Sequence, residues 1–184
     1  MEYTPPKLRM RRMVVIFTTL LLVGCTKTLV PMERTAIFPK ELASNLLRLS
    51  YDPPEGITSF WTPTEKDLIG IEDHLEEYLS EIWREKESRD VKMANWASYY
   101  RQVSGIVING EKMIFISYAY SPLMNEPSVV ADRIKYAEKR GQIYDANWWK
   151  TNAIVAADGG SLFFRVLYNP NKKQYIWYDQ NGRA

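Results

Sequence analysis

The chain has only one cysteine and one histidine among its 184 residues, Cys25 and His74. A single cysteine excludes an intramolecular disulfide, and the usual zinc site is excluded because it takes three or four Cys or His ligands. The sequence also lacks the lysine-containing phosphate-binding loop and the G-x-S-x-G pattern of a nucleophilic serine. We therefore predict no metal and no cofactor, and we assign no catalytic residue.

The apolar run at residues 13–23 is uncharged but only eleven residues long, whereas a membrane-spanning helix needs about 20. Three arginines lie just before it, which gives the charged and apolar regions of a signal peptide. The run leads into Leu22-Val23-Gly24-Cys25, which resembles the lipobox of bacterial lipoproteins. This resemblance implies cleavage after Gly24 and acylation of Cys25, and two or more acyl chains anchor a protein stably. The alternative is a buried apolar segment with an ordinary core cysteine.

The lipobox resemblance also implies an address and a domain organisation. Thr26 follows the cysteine, which favours the outer membrane because aspartate there signals retention in the inner membrane. We expect a signal peptide at residues 1–24, a lipidated cysteine and tether at residues 25–39, and one domain at residues 40–184 facing the periplasm. Removing the signal peptide, with four basic and one acidic side chain, leaves 20 basic and 21 acidic side chains. This balance does not favour a nucleic-acid partner.

The mature sequence predicts an α+β domain in which an antiparallel sheet of about five strands packs against one long amphipathic helix. The helix is predicted from the capping motif Thr62-Pro63-Thr64-Glu65 to near Ser88. Its apolar positions recur at spacings of three and four: Leu68, Ile71, Leu75, Tyr78 or Leu79, and Ile82. One or two shorter helices are predicted at residues 39–50 and 128–140, the second with Gly141 as its C-cap.

The strands are predicted from alternating and β-branched runs at residues 103–108, 113–120, 153–157, 162–168 and 174–178. Asn109-Gly110 joins the first two as a hairpin, because both turn residues need a positive φ. Short connections imply antiparallel pairing, and one face of the sheet is expected to cover the apolar side of the helix.

Several short motifs resemble a group of small envelope proteins of Gram-negative bacteria. They are Phe60-Trp61-Thr62-Pro63, Asp158-Gly159-Gly160-Ser161 with Phe163-Phe164, Tyr168-Asn169-Pro170 and Asn181-Gly182-Arg183-Ala184. That group has no known activity. The resemblance therefore implies a fold and a location in the envelope, and it implies no reaction.

Aromatic residues are the most distinctive feature of the mature sequence. Trp148 and Trp149 are adjacent in a predicted loop, where large rings exposed together tend to mark a binding surface. Tyr118 and Tyr120 lie in a predicted strand and are further candidates for binding. The alternative is that these rings pack in the core, as many large aromatic side chains do.

Other residues have weaker claims to chemistry. Glu72 and Glu76 are one helical turn apart, but acid–base catalysis needs a carboxyl group whose pKa is raised by burial. We interpret both as part of a solvated helix face. His74 is interpreted as an exposed helix residue, and Asp158-Gly159-Gly160-Ser161 as a tight turn.

These features together predict a lipid-anchored envelope module that binds another protein or a wall component through its sheet or through residues 121–151. One alternative is an envelope enzyme that uses acidic residues on wall or lipid substrates. Another is an immunity-type or assembly-associated lipoprotein. A buried pair of close carboxylates in a cleft would favour the enzyme, whereas an exposed aromatic surface would favour the binding module.

Intact-mass measurement of the protein extracted from membranes tests the lipobox. We expect a chain that begins at Cys25 and carries the added mass of acyl groups. Cys25→Ser should leave the precursor uncut, because the thiol that receives the lipid is missing. A chain that keeps residues 1–24, or an unmodified Cys25, would contradict the resemblance.

Overall fold

The computed structural model of the protein describes residues 30–48, 53–85, 96–156 and 159–181. The predicted signal peptide and Cys25 lie outside these residues. Within the described ranges the protein has an α+β fold, built from a six-stranded mixed sheet and four short helices. The predicted fold class is therefore confirmed, and the sheet is mixed because one short strand runs parallel to its neighbour.

The strands are β1 (Thr35–Ile37), β2 (Ile57–Trp61), β3 (Tyr99–Ile108), β4 (Glu111–Tyr120), β5 (Phe163–Asn169) and β6 (Gln174–Gln180). The helices are α1 (Ala43–Leu47), α2 (Leu75–Glu85), α3 (Ser121–Met124) and α4 (Pro127–Lys139). The sheet has the order β1-β3-β4-β5-β6, and β2 also pairs with β3. Parallel β1 covers residues 101–103 of β3 and antiparallel β2 covers residues 105–108, so both lie on one edge of that strand.

The β3–β4 hairpin is confirmed. Asn109 and Gly110 have φ values of 51° and 79°, the positive values that a two-residue hairpin turn requires. Ile108 pairs with Glu111, and the antiparallel register continues without a shift to Tyr99 and Tyr120. This long hairpin forms the centre of the sheet.

The predicted strand at residues 153–157 is wrong for its described part, residues 153–156, which have no regular structure. The apolar character that suggested a strand has another cause, because Ile154 is buried in the apolar cluster on one face of the sheet. Its backbone N–H donates to the Gln102 side chain at 2.8 Å, where a strand residue would donate to a neighbouring strand. The prediction also missed β1 and β2, which are short and lie near prolines.

The predicted tether at residues 25–39 extends too far. Val30 and Phe38 are buried, and β1 lies between them in the sheet. The Phe38 backbone N–H donates to the Val103 carbonyl at 2.8 Å. The folded domain therefore begins before residue 40, because residues 35–37 pair with β3 as a strand of the sheet.

The single long helix predicted from Thr62 to near Ser88 is not confirmed, because the described helices are short. α2 begins only at Leu75. Gly70, between the predicted start and α2, has a φ of 73°, a left-handed conformation that ends regular helix. Residues 86–88 lie outside the described residues.

The helical cap lies two residues after the predicted one. Thr62 Oγ1 accepts the backbone N–H of Lys40 at 3.0 Å and caps no helix. Thr64 precedes a short 3-10 helix, Glu65–Leu68, and its backbone N–H donates to the Asp67 carboxylate at 2.7 Å. The motif thus identifies the correct place, but Thr64 and Asp67 form the capping box.

The predicted apolar stripe is confirmed although the helix is interrupted. Leu68, Ile71, Leu75 and Leu79 are all buried against one face of the sheet. The Tyr175 hydroxyl of β6 donates to the Ile71 carbonyl. The turns between residues 69 and 74 therefore keep the apolar side chains on one side.

The sheet is covered on both faces. One face packs against α2 and the segment before it, and this core contains many tyrosines: Tyr99, Tyr118, Tyr168 and Tyr175. The other face is covered by α1, α3 and the loop that contains Trp149 and Ile154. Burial on both sides explains why β4 and β5 are almost continuously apolar or aromatic.

The tyrosines of the α2-side core are expected to make the protein less stable at alkaline pH. Burial raises the pKa of Tyr78 and of Tyr99 from 10 to about 12. Between these pH values the folded protein retains phenolic protons that the unfolded chain has released. The free energy of unfolding should therefore be independent of these groups below pH 10 and should fall as the pH rises from 10 to 12.

Urea unfolding across this pH range measures the effect. Tyr99→Phe removes one of the phenols with a raised pKa, so the stability of this variant should fall less steeply with pH than that of the wild type. Tyr136→Phe, at an exposed side chain, should follow the wild type. Equal slopes for wild type and Tyr99→Phe would show that the Tyr99 phenol does not contribute.

Candidate binding site

The structure separates the four aromatic residues predicted to bind a ligand. Tyr118 is 1% exposed and Trp149 is 5% exposed, so both belong to the core. Tyr118 stacks on Phe164 with ring centroids 4.6 Å apart. Trp148 and Tyr120 are half-buried. The expectation that the two tryptophans are exposed together is wrong for Trp149, because its ring lies 4.5 Å from Tyr100 on the covered face of the sheet.

Glu72 belongs to a buried ion pair and not to a solvated helix face. Its carboxylate accepts two hydrogen bonds from Arg101, at 2.5 Å from Nε and 2.9 Å from Nη2, and a third from the Tyr118 hydroxyl at 2.9 Å. The Arg101 side chain is 1% exposed and that of Glu72 is 13% exposed. The interpretation failed because Glu72 precedes α2 in a turn, so helical spacing does not apply to it.

The electrostatics of this pair follow from its burial. Burial lowers the pKa of Arg101, but the hydrogen bond and charge of Glu72 outweigh that effect and raise it. Burial also raises the pKa of Tyr118 well above its usual value, and the Glu72 carboxylate raises it further. The Tyr118 phenol therefore stays neutral beside Glu72 and Arg101, and the contact joins the turn before α2 to the sheet.

The described residues agree with the structural interpretations of His74 and of the glycine-rich turn. The His74 side chain is 71% exposed, and its Nδ1 lies 3.8 Å from a Glu77 carboxylate oxygen. Gly159 and Gly160 both have a positive φ, as expected of a tight turn, and Ser161 follows in a short 3-10 helix. Asp158 lies outside the described residues.

Gln102 holds the loop that covers the second face of the sheet. Its side chain is buried, and Nε2 donates to the carbonyls of Trp149 at 2.5 Å and Asn152 at 2.7 Å. Its Oε1 accepts the backbone N–H of Ile154 at 2.8 Å. One side chain thus satisfies three backbone groups of a loop that has no strand partner for them.

A groove of about 810 Å³ lies between α4 and the segment that follows it. Its volume is within the range of small-molecule sites. Helix residues form one wall: Val129, Asp132, Arg133, Tyr136, Ala137 and Arg140. The loop forms the other: Gln142, Ile143, Tyr144, Asp145, Trp148 and Asn152.

α4 is a surface helix that contributes little to the core. Pro127 starts it at a first-turn position, and no residue of the helix is buried. It ends at Lys139, and the predicted capping glycine, Gly141, follows with a φ of 65°. Gly141 and Gln142 donate to the carbonyls of Glu138 and Ala137 at 2.9 Å, the two bonds of a Schellman motif. The chain therefore turns back sharply, and the loop faces the helix across the groove.

Two guanidinium groups stack on aromatic rings in the groove. Arg133 lies over the Trp148 ring at 4.8 Å, and Arg140 lies over the Tyr136 ring at the same distance. Arg133 is itself held, because its Nη1 donates to the Met124 carbonyl at 3.0 Å. These cation–π contacts hold the rings in defined orientations.

The loop wall is fixed by its own hydrogen bonds. Asp145 Oδ1 accepts the backbone N–H of Asn147 at 2.8 Å, and Asn152 Nδ2 donates to the Trp148 carbonyl at 2.9 Å. Gln102 then holds the Asn152 carbonyl from inside the domain. The loop wall is therefore connected directly to β3, although Trp148 itself is only half-buried.

The sequence predicted α4, its C-cap and Trp148, but it did not predict the groove. Its lining residues come from a helix and a loop, and their closeness depends on the turn at Gly141. The spacing of Val129, Arg133, Tyr136 and Arg140, at three and four residues, is the signal that places them on one side of the helix. Because this side of the helix mixes charged and aromatic residues, it does not show the separation of apolar and polar faces by which an amphipathic helix is recognised.

No protein-family model, no curated protein and no solved structure matches this chain. None of the helices in the described ranges is both long and apolar enough to span a bilayer. Among the same residues, no group of three His, Cys, Asp or Glu side chains could hold a metal ion.

Gln102→Leu tests the link between the sheet and the groove. The change leaves the two loop carbonyls and the Ile154 N–H without their partner, which costs about 1–3 kcal/mol for each group that stays buried. We expect a lower urea midpoint and faster amide hydrogen exchange in residues 149–154. Gln142→Leu makes the same change on an exposed side chain and should leave both measurements near the wild type. Unchanged exchange in Gln102→Leu would mean that other contacts hold the loop.

Proposed function

We propose that the protein is a lipid-anchored module of the bacterial cell envelope that binds a ligand in the groove between α4 and residues 142–152. The observation that supports this proposal most directly is the exposure of α4. The helix buries none of its residues, and it carries Tyr136 with 59% of its surface exposed. Ile143, on the facing loop, is 97% exposed. Exposed apolar and aromatic residues grouped around a concave surface are typical of a binding site.

The anchor part of the proposal rests on the lipobox motif that ends at Cys25. Val30 is already buried in the domain. Five residues span at most about 18 Å when fully extended, so a lipid on Cys25 would hold the domain close to the bilayer surface. A site on such a domain would meet ligands of the envelope.

A binding role agrees better with the groove than the enzyme alternative does. The groove contains two carboxylates, Asp132 and Asp145, and both residues are exposed. A general acid is normally a buried carboxyl group, and the largely buried carboxylates of Glu72 and Asp179 are paired with Arg101 and Arg165. No described feature favours the immunity-type or assembly-associated alternative over the others.

Site-specific photocrosslinking in intact cells tests the function. A photoreactive amino acid in place of Tyr136 of the full chain should give a crosslinked adduct, because the side chain lies at the groove. The same amino acid in place of Ile176, which is 44% exposed on β6, is the matched control and should give none. Adding Trp148→Ala should remove the Tyr136 adduct, since aromatic anchors tend to dominate interfaces.

Two controls separate loss of binding from loss of folding or location. The Trp148→Ala protein should keep its cooperative thermal melt and should remain in the membrane fraction. Adducts of equal yield from Tyr136 and Ile176, or none from Tyr136, would overturn the proposal that this groove is the binding site.

A further inference from the structure

We propose that the ligand of the α4 groove is an uncharged oligosaccharide. This inference rests on the proposed function, because it names the ligand class of the same site. A sugar ring has an apolar face of C–H groups and a polar edge of hydroxyl groups. A site for it therefore needs aromatic rings beside planar polar groups that both donate and accept hydrogen bonds.

The charges of the groove cancel. Its lining contains two carboxylates, Asp132 and Asp145, and two guanidinium groups, Arg133 and Arg140. An anionic ligand would gain from the arginines and lose to the aspartates, and a cationic ligand would meet the reverse. Charge complementarity therefore favours a ligand that is polar but carries no net charge.

Three aromatic rings supply the apolar part of the lining: Tyr136, Tyr144 and Trp148. Arg140 and Arg133 hold two of them by stacking at 4.8 Å. Rings that are already oriented lose little conformational entropy when a ligand stacks on them. A flat protein interface does not need rings fixed on both walls of a groove, whereas a chain of sugar rings does.

The polar part has the correct chemistry for hydroxyl groups. Gln142 offers an amide that can donate and accept, and the aspartates accept while the arginines donate. Asn152 offers its Oδ1 as an acceptor, because its Nδ2 already donates to the Trp148 carbonyl and to Thr151 Oγ1. Asp145 and Asn152 are preorganised by their hydrogen bonds to the loop backbone. The polar groups therefore complement a ligand whose hydroxyl groups both donate and accept hydrogen bonds, as those of a sugar do.

The shape of the groove favours a chain of sugar units. α4 has 13 residues. At a rise of about 1.5 Å per residue it is about 20 Å long, and the groove follows it. A volume of about 810 Å³ along an open helix suits an oligosaccharide segment better than a single enclosed ring.

Titration of the full chain with two uncharged glycans tests the inference. The protein is kept in a zwitterionic detergent without sugar groups. The probes are fully N-acetylated chito-oligosaccharides, whose acetylated amino sugars resemble those of a cell wall, and malto-oligosaccharides. We expect tryptophan fluorescence to change on binding, because Trp148 lines the groove. Tyr136→Ala should weaken binding by about tenfold, and Ile176→Ala should leave it unchanged. The affinity should not depend on salt concentration, since the ligand is uncharged.

The two probes distinguish the source of the glycan. Binding of the chito-oligosaccharide alone supports a wall-type chain, and binding of both supports a broader range of hexose chains. Amide hydrogen exchange gives a second readout on the wild type, where a saturating probe should protect residues 142–152. This measurement applies even if Tyr136→Ala does not fold.

Absence of binding to both probes would overturn the oligosaccharide assignment, as would binding that Tyr136→Ala leaves unchanged in a folded protein. These results differ from failure of the proposed function. If the probes do not bind but Tyr136 crosslinks to a protein in cells, the groove is still a binding site and its ligand is a polypeptide. If neither the probes bind nor Tyr136 crosslinks, the groove is not a binding site.

Discussion

Arg101 and Gln102 stand next to each other in β3, and both side chains are buried. Neighbouring residues of a strand point to opposite faces of the sheet, so each side chain reaches a different layer of the molecule. Arg101 binds Glu72 before α2, and Gln102 binds the backbone of residues 149–154. The positions of the two layers relative to the sheet therefore depend on two consecutive polar residues of its central strand.

The two contacts constrain the molecule in different ways. Removing one partner of a buried ion pair typically costs about 3–5 kcal/mol, whereas an apolar replacement of the whole pair is often neutral. The value of the Glu72–Arg101 pair is thus chiefly positional, since it fixes the turn at residues 69–74 against the sheet. Gln102 meets a different need, because a loop over a buried sheet face must have its backbone groups satisfied. An amide can do so with a donor and an acceptor on one side chain.

The candidate site depends on this second layer without belonging to the core. Trp149 points inward to Tyr100, while Trp148, one residue earlier, lines the groove with α4. The buried Trp149 attaches the loop to the core, and Trp148 lines the groove. α4 adds the other wall and buries no residue of its own. The aromatic and charged side chains of α4 are therefore not required for the core and remain accessible to a ligand.

The sequence alone determined the features that depend on local chemistry. The Asn109-Gly110 hairpin, the Gly141 cap, the apolar stripe from Leu68 to Leu79 and the α+β class follow from turn geometry and from the periodicity of apolar residues. Each of these features depends on only a few neighbouring positions, so it can be predicted without knowing which distant segment packs against it. The resemblance of Leu22-Val23-Gly24-Cys25 to a lipobox is a signal of the same local kind, and it stays a prediction.

Only the tertiary structure decided the features that depend on distant partners. Three residues such as Thr35–Ile37 become a strand because β3 offers them an edge, and Ile154 is in a loop because Gln102 receives its N–H. Glu72 lies among other acidic residues, which is typical of a solvated surface. It is nevertheless buried, because it pairs with Arg101, which is 29 positions further along the chain. The separation of Trp148 from Trp149 likewise follows from contacts that spacing does not encode, since long-range pairing fixes which neighbour faces the core.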